Sequence, residues 1–296
     1  MNNTNPGKDI SEEDLLTKFP LVARGVSQNT SIVKVSDQVS FGGGNIPLVV
    51  GPNLVESEEL IFQVAEAAIL AGASMLRGGC FKPLTFPYRS DKYYETGEDG
   101  LKWLSRAGKH FGIPVVTEAV SEDQVDLVAK YSDMIQIGTR NMQNYPLLIR
   151  AAKTGKPILL KRGFGSSLRD LLGAAEYILF NKNKQLVLCE RGITTPHTHR
   201  STSRFLLDIQ VFPAAREVTH LPIISDPSHA SFWSPWVPSL VNASVAVGAD
   251  GIMLETHPNP SEAAIDPLQA LNFSQLKTCA EESRKVAIAV GRTLGK

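Results

Sequence analysis

Six basic residues stand where short apolar runs of this sequence end. They are Arg77 and Lys82 in and after SMLRGG, Arg140 after DMIQIG, Lys161 and Arg162 in PILLKRG, and Arg191 in LVLCERG. Gathered in one place, such cations repel one another and are costly to take out of water unless an anion offsets them. Arginine also forms bidentate pairs with phosphate and carboxylate. The set therefore points to a small substrate with several negative charges, and a molecule carrying both phosphate and carboxylate fits best. The plainer reading is solvated surface charge, and the recurrence of the pattern at equivalent strand ends weighs against it.

A second set is His229 in DPSHA, Glu255 in MLETHPNP and Asp266 in the loop that follows. One imidazole and two carboxylates suit a divalent metal ion, although such a trio also arises by chance near a cleft. Other reactive types are read more plainly. Cys80 has no identifiable base, so a packing role is expected. Trp233 and Trp236 are expected to pack over the next helix or cover a mouth. His197 and His199 in TTPHTHR are expected in a solvent-exposed loop, with a second metal site as the less favoured reading.

These residues need a scaffold that brings strand ends together. The candidate strands are 47–53, 74–79, 114–119, 133–138, 157–163, 186–192, 221–227 and 251–257. They are short and apolar without alternation, as strands covered on both faces are. Helical periodicity runs over 57–73, 122–131, 144–155, 167–181, 236–249 and 273–294. Eight strands alternating with helices predict an α/β fold, a (β/α)8 TIM barrel, with a doubly wound open sheet as the competitor. The count favours the barrel. So does the placement of polar residues at nearly every strand end: Asn53, Arg77, Glu118, Arg140, Lys161, Arg191, Asp226 with His229, and Glu255. In a barrel these converge on one mouth. Residues 31–46 alternate apolar and polar and then meet three glycines, which predicts a short hairpin. The expected organisation is an N-terminal arm and hairpin over 1–46 and a catalytic barrel over 47–296.

Bulk properties narrow the partners. Lys plus Arg and Asp plus Glu each number 30, so no broad basic surface is expected for nucleic acid or an anionic membrane. Three cysteines without CxxC spacing argue against a disulfide framework and a zinc knuckle. No apolar leader is visible in MNNTNPGKDISEEDLL, and no run reaches the roughly 18 apolar residues of a membrane span. A cytoplasmic location is expected.

In chain order, GPN-VES (51–57), LRGG-FKP-T-PY (76–88), VVTE (115–118), QIG-RNMQN (136–144), LLKRGF (159–164), CERGI (189–193), THLPII-DPSHA (219–230) and ETHPNP (255–260) resemble a known family. It is that of the 3-deoxy-D-arabino-heptulosonate 7-phosphate (DAHP) synthases, in the group related to 3-deoxy-D-manno-octulosonate 8-phosphate synthase. The resemblance covers roughly residues 17–290. It implies a (β/α)8 barrel and a transferase that joins phosphoenolpyruvate to an aldose phosphate, by default erythrose 4-phosphate, in the shikimate pathway of aromatic amino acid biosynthesis. It implies that Arg77, Lys82, Arg140, Lys161 and Arg191 hold phosphoenolpyruvate. Lys82 would also serve the aldehyde, and Glu118 would lie near the attacking water. Thr85 would contact the acceptor phosphate. Asp226 is expected in the substrate site, and Lys82, Glu118, Lys161 and His229 as the catalytic set. His229, Glu255 and Asp266 match three of four ligands of a divalent, manganese-type metal ion. By analogy a homo-oligomer is expected.

Two departures stand out. The family's fourth metal ligand is a cysteine in a GPC motif, and Asn53 occupies that position here. An amide oxygen is a weaker, neutral ligand than a thiolate, and the metal-independent branch of the octulosonate enzymes also has asparagine there. The family motif KPRTS reads KPLTF, with Leu84 and Phe86 in place of Arg and Ser. Losing a phosphate-pairing guanidinium costs on the order of 2–4 kcal/mol of binding. Arg89 or Lys92 would restore such a contact. Two alternatives therefore stand beside the leading expectation: a synthase acting on a different aldehyde in a specialised pathway, and a catalytically silent binding protein.

Overall fold

The computed structural model describes residues 17–25, 29–82, 95–196, 199–200 and 205–295. The expected acceptor residues Leu84, Thr85, Phe86, Arg89 and Lys92, together with His197 and residues 1–16, lie outside the described residues.

Eight parallel strands close into a barrel: β4 (Leu48–Gly51), β5 (Met75–Arg77), β6 (Val115–Ala119), β7 (Met134–Ile137), β8 (Ile158–Lys161), β9 (Leu186–Glu190), β12 (Ile223–Ser225) and β13 (Ile252–Glu255). All eight fall within the ranges predicted from their apolar runs. β13 closes on β4 with Glu255 opposite Gly51. The helices between them cover the outer face. The helix Glu58–Leu70 starts where Ser57 accepts a hydrogen bond from the Leu60 N–H, and Leu168–Phe180 starts on a reciprocal capping box between Ser167 and Asp170. Such caps contribute about 1 kcal/mol each.

Besides the single turn Pro227–Ser231, two helices lie outside the ranges of helical periodicity. Gly97–Phe111 buries Leu101, Leu104 and Ala107, and Val211–Val218 buries Val211, Phe212 and Ala215. The first presents a narrow apolar stripe in an otherwise polar segment, and the second is only two turns long. The last helix, Phe273–Ala289, ends short of the predicted 294. There the chain turns into β14 (Thr293–Leu294), which pairs in parallel with β3 (Asn45–Ile46).

The hairpin predicted over 31–46 is present as β1 (Val33–Lys34) against β2 (Ser40–Phe41). Val33, Val39 and Phe41 are buried in one cluster with the inward-facing barrel residues Val49, Met75, Val116, Met134, Leu159, Val187, Ile224 and Met253. The hairpin thus stoppers the N-terminal end of the barrel. Burying Phe41 alone is worth about 1.5–3 kcal/mol. Chemistry is left to the opposite end. No helix among the described residues is long and apolar enough to cross a membrane.

Candidate active site

Side chains alternate between the two faces of a strand. One step beyond the apolar layer, on the same inward face, come Arg77, Glu118, Gln136, Lys161, Asp226 and Glu255. Arg191 follows inward-facing Cys189. All seven are buried. The barrel interior therefore changes from apolar to ionic within a single repeat of the strand.

The cationic set and the His–carboxylate set form one interleaved chain. Arg77 Nη1 lies 2.5 Å from Glu255 Oε1, which lies 3.1 Å from His229 Nε2. His229 Nδ1 is 2.8 Å from Asp226 Oδ2, which accepts from Lys161 Nζ at 2.5 Å. Asp226 also caps the short helix Pro227–Ser231 by accepting from the His229 N–H, and this sets the imidazole between the two carboxylates. Burial would raise the Glu255 pKa, but the His229 and Arg77 charges outweigh it and hold the carboxyl at about 2. Asp226 is likewise held well below the usual carboxylate range, with His229, Lys161 and Arg77 overcoming its burial. Burial pushes His229 down.

Lys82 folds back across Gly79 and donates to Asn53 Oδ1. The glycine is required there, because a Cβ would lie 2.4 Å from Lys82 Cε and 2.4 Å from the Asn53 carbonyl oxygen. Burial lowers the Lys82 pKa, and Arg77 and Lys161 lower it further. Glu118 Oε2 accepts from Gln136 Nε2 at 2.8 Å across the β6–β7 pair.

Arg191 differs from the other buried cations. It is 5 % exposed, and its Nε and Nη1 are buried with no hydrogen-bond partner among the described residues. Its guanidinium rests against Phe164 and Phe205, 4.9 and 4.3 Å from the ring centroids. Arg140, in the turn Thr139–Asn141, lies over Phe164 at 5.4 Å. Buried N–H groups without acceptors are costly in a finished structure. On Arg191 they leave a buried cation with unused donors.

One expectation needs correction. Arg162 is not a mouth cation. It follows Leu160 on the outer face of β8, and its Nη1 binds Glu190 at 2.9 Å and Asp208 at 2.8 Å. The remaining mouth cations, Arg77, Lys82, Arg140, Lys161 and Arg191, face Glu118, Asp226, Glu255 and Asp266. Internal carboxylates thus offset much of the positive charge that an external anion alone was expected to balance. Cys80 is buried, its thiol pushed up to about 12 by desolvation, in keeping with a packing role. Trp233 is half-buried beneath Arg200, whose guanidinium carbon lies 3.7 Å from the ring centroid.

Comparison with known sequences now bears on this mouth. A profile of the DAHP synthetase I family matches residues 27–291. The chain belongs to that family. It is 40 % identical over 277 residues to the phospho-2-dehydro-3-deoxyheptonate aldolase of Thermotoga maritima, covering 94 % of this chain and 80 % of that one. A 2-dehydro-3-deoxyphosphooctonate aldolase of Fusobacterium nucleatum subsp. nucleatum is 32 % identical over 274 residues, covering 88 % and 95 %. The crystal structure of the Thermotoga maritima DAHP synthase superposes with a TM-score of 0.87, covering 93 % of this chain and 78 % of that one at 40 % identity. A truncated form of the Thermotoga maritima enzyme superposes at 0.85, covering 94 % and 100 % at 39 % identity.

Enzymes of the DAHP synthetase family are generally metal-dependent, so the four candidate ligands bear on the reading. Asn53 turns its NH2 towards the carboxylates, donating to Asp266 Oδ2 at 3.1 Å and Glu255 Oε2 at 3.4 Å, while its oxygen is taken by Lys82. Glu255 Oε2 also accepts from Gln269 Nε2 at 2.5 Å. Asn53 Oδ1, Asp266 Oδ2 and Glu255 Oε2 are thus each occupied by N–H groups of the protein, and the His229 nitrogens face carboxylate oxygens. Among the described residues no group of three or more His, Cys, Asp or Glu is arranged to hold a metal ion. In this arrangement Asn53, His229, Glu255 and Asp266 do not fit a divalent ion.

Several participants escaped the sequence reading. Gln269 and Gln136 orient Glu255 and Glu118, Phe164 and Phe205 lie against Arg191, and Glu190 and Asp208 bind Arg162. For Glu190 and Arg162 the signal was available: strand alternation puts them outside the barrel when Lys161 and Cys189 point in. For Gln269, Phe205 and Asp208, which lie in connecting segments or short pairings, no periodicity marks the position.

Proposed function

We propose that this chain condenses phosphoenolpyruvate with an aldose phosphate, by default erythrose 4-phosphate, to give a 3-deoxy-2-ketoaldonate phosphate of the DAHP type and inorganic phosphate. The observation that carries the reading is Arg191, a buried guanidinium with open N–H bonds at the barrel mouth, beside Lys161, Arg77 and Arg140. Phosphoenolpyruvate supplies the phosphate and carboxylate that such a set grips.

The chemistry follows from the placement. Arg191, Arg140, Lys161 and Arg77 hold phosphoenolpyruvate by its two anionic groups and fix its enol carbon towards the acceptor. C3 attacks the aldehyde carbon, and Lys82 gives a proton to the oxygen as the alkoxide forms. Positive charge develops at C2, where the buried carboxylates Glu118, Asp226 and Glu255 stabilise it. Water adds at C2 and loses its proton to Glu118, which Gln136 holds in place. The bond from C2 to the bridging phosphate oxygen then breaks, the C2 hydroxyl passes its proton to the leaving phosphate, and a ketone remains at C2. Asp226 aims Lys161, and His229 lies between Asp226 and Glu255, whose charges Lys161 and Arg77 offset. Thr85 is assigned to the acceptor phosphate through the resemblance. No step is routed through a metal ion. We further infer a cytoplasmic homo-oligomer, which sizing of the purified protein checks.

The test is phosphate release from phosphoenolpyruvate with a panel of aldehydes, beside calorimetry of phosphoenolpyruvate alone. Binding with turnover on erythrose 4-phosphate is expected. Turnover only with other aldehydes would make the chain a synthase of altered acceptor. Binding without any turnover would make it a binding protein, and no binding at all would remove the reading.

A further inference from the structure

The residues behind Arg191 have no part in the chemistry above, yet they are built as carefully as those in front. Arg162 Nη1 reaches Glu190 Oε2 at 2.9 Å and Asp208 Oδ2 at 2.8 Å, and its Nε donates to the Ser166 carbonyl at 2.8 Å. Glu190 is fully buried, and its Oε1 accepts from the Gly192 N–H at 2.7 Å and the Asp208 N–H at 3.4 Å. One guanidinium and one carboxylate thereby tie together three segments: the turn after β8, the turn after β9, and the stretch leading from β11 (Phe205–Leu206). The same segments are joined again by backbone. Thr194 N–H donates to the Phe164 carbonyl at 2.7 Å, and β10 (Ile193–Thr194) pairs with β11 in register Thr194 to Phe205. Gly192, at φ +94°, makes the crossing between them, and a Cβ there would lie 2.9 Å from Phe205 Cβ.

The outcome is a stacked pair of rings, Phe164 and Phe205, with centroids 4.9 Å apart and planes 10° apart, against which the Arg191 guanidinium lies. Arginine stacks on aromatic faces through its planar group, leaving its N–H edge free for an anion. Among the described residues no carboxylate hydrogen-bonds to Arg191 Nε or Nη1, so the rings set its direction. A salt bridge at that point would have closed the N–H edge that the substrate needs.

We propose that Arg162, Glu190 and Asp208 are a positioning cluster which, by fixing Phe164 and Phe205, aims Arg191 at the anionic group of the substrate. The inference rests on the phosphoenolpyruvate reading above and adds to it a binding determinant outside the barrel interior. It separates two kinds of cation at one strand end: those aimed by carboxylates, such as Lys161 by Asp226, and one aimed by rings.

The test uses the full chain with Phe205→Leu, Phe205→Tyr, Arg162→Met and Asp208→Asn, with Arg191→Met as reference. Phosphoenolpyruvate KM, kcat, calorimetric Kd and thermal unfolding are measured for each. Phe205→Leu is expected to raise KM and Kd about tenfold with kcat within about threefold, because the loss is one desolvated cation–ring contact. Phe205→Tyr keeps the ring and restores both. Arg162→Met and Asp208→Asn shift KM in the same direction. If Arg162→Met does not fold, the Phe205 pair decides alone. Unchanged KM in Phe205→Leu, a loss confined to kcat, or a Tyr variant as impaired as the Leu variant would overturn the proposal. If Arg191→Met itself leaves phosphoenolpyruvate binding intact, the functional reading fails; if it abolishes binding while Phe205→Leu changes nothing, only the positioning role fails.

Discussion

Lys161 and Arg162 are neighbours in the chain and serve opposite sides of one wall. Lys161 Nζ lies 2.5 Å from Asp226 inside the barrel, and Arg162 Nη1 lies 2.9 Å from Glu190 behind it. Lys161→Met should therefore act on chemistry, lowering phosphate release at least about 100-fold, as loss of a site cation does. It should also lower the melting temperature, since Asp226 loses one of the cations that offset its burial. A stopped assay beside a thermal melt reads both effects. Turnover within tenfold of the parent would remove Lys161 from the catalytic set.

Arg191 is charged, buried and open at Nε and Nη1. Replacing it by Met removes a desolvated cation and fills the space with apolar atoms. Arg191→Met is expected to stabilise the fold by about 1–2 kcal/mol, in line with apolar replacement of buried ions. Phosphoenolpyruvate affinity should weaken by on the order of 2–4 kcal/mol. Denaturant titration and calorimetry measure the two. A destabilised variant would show that the guanidinium has a structural role.

The Asn53 amide is hydrogen-bonded at both ends, to Lys82 and to Asp266 with Glu255. Exhaustive chelation should leave turnover within about twofold, because the carboxylates are already satisfied by N–H donors. Asn53→Cys brings a soft, ionisable ligand to the same place and should confer binding of a soft divalent ion. Equilibrium dialysis detects it. Abolition of turnover by a chelator, with recovery on adding metal back, would show that Asn53 turns over to present its oxygen.

Gly79 leaves room for Lys82 to cross to Asn53. Gly79→Ala should cost on the order of 1–3 kcal/mol, as overpacking does, and should lower kcat more than it raises the phosphoenolpyruvate KM, because Lys82 is the group displaced. Steady-state kinetics on the folded variant separate the two. An unaffected kcat would detach Lys82 from the proton transfer.

All three cysteines are buried. Burial pushes Cys80 up to about 12 and Cys279 up to about 11, and raises Cys189 as well. At pH 8 each should be a neutral thiol, unreactive towards a disulfide reagent in the native protein and reactive in denaturant. The raised values mean that the fold favours the protonated form. This contribution to stability is complete below the ordinary thiol value of 9.0 and is lost as pH rises towards 11–12. Unfolding midpoints should accordingly fall through that alkaline window. Rapid native labelling at pH 8 would contradict the burial.

The amino-acid order by itself determined the barrel. Eight apolar runs of strand length, punctuated by helical periods, leave few ways to bury both faces of a parallel sheet. Their position at the ends of those runs also sufficed to place Arg77, Lys161, Asp226 and Glu255 near one another, because strand ends of a closed barrel meet. It did not reveal that these charges pair. The chain Arg77–Glu255–His229–Asp226–Lys161 joins four separate strand ends, and distances across a barrel mouth depend on its closure, which no local pattern encodes. The same holds for Arg191. Its sequence neighbours are a glutamate and a glycine, yet its direction is set by Phe164 and Phe205, brought together by a two-residue pairing too short to announce itself. The Gly97–Phe111 helix does not show in the sequence periodicity because its apolar stripe is narrow, and only packing against the barrel makes that stripe sufficient. Composition and spacing thus chose the scaffold and the types of group at its mouth. Tertiary contact decided which cations are neutralised from within and which one is left open for a ligand, because pairing energy depends on separation and burial, and both exist only once the barrel has closed.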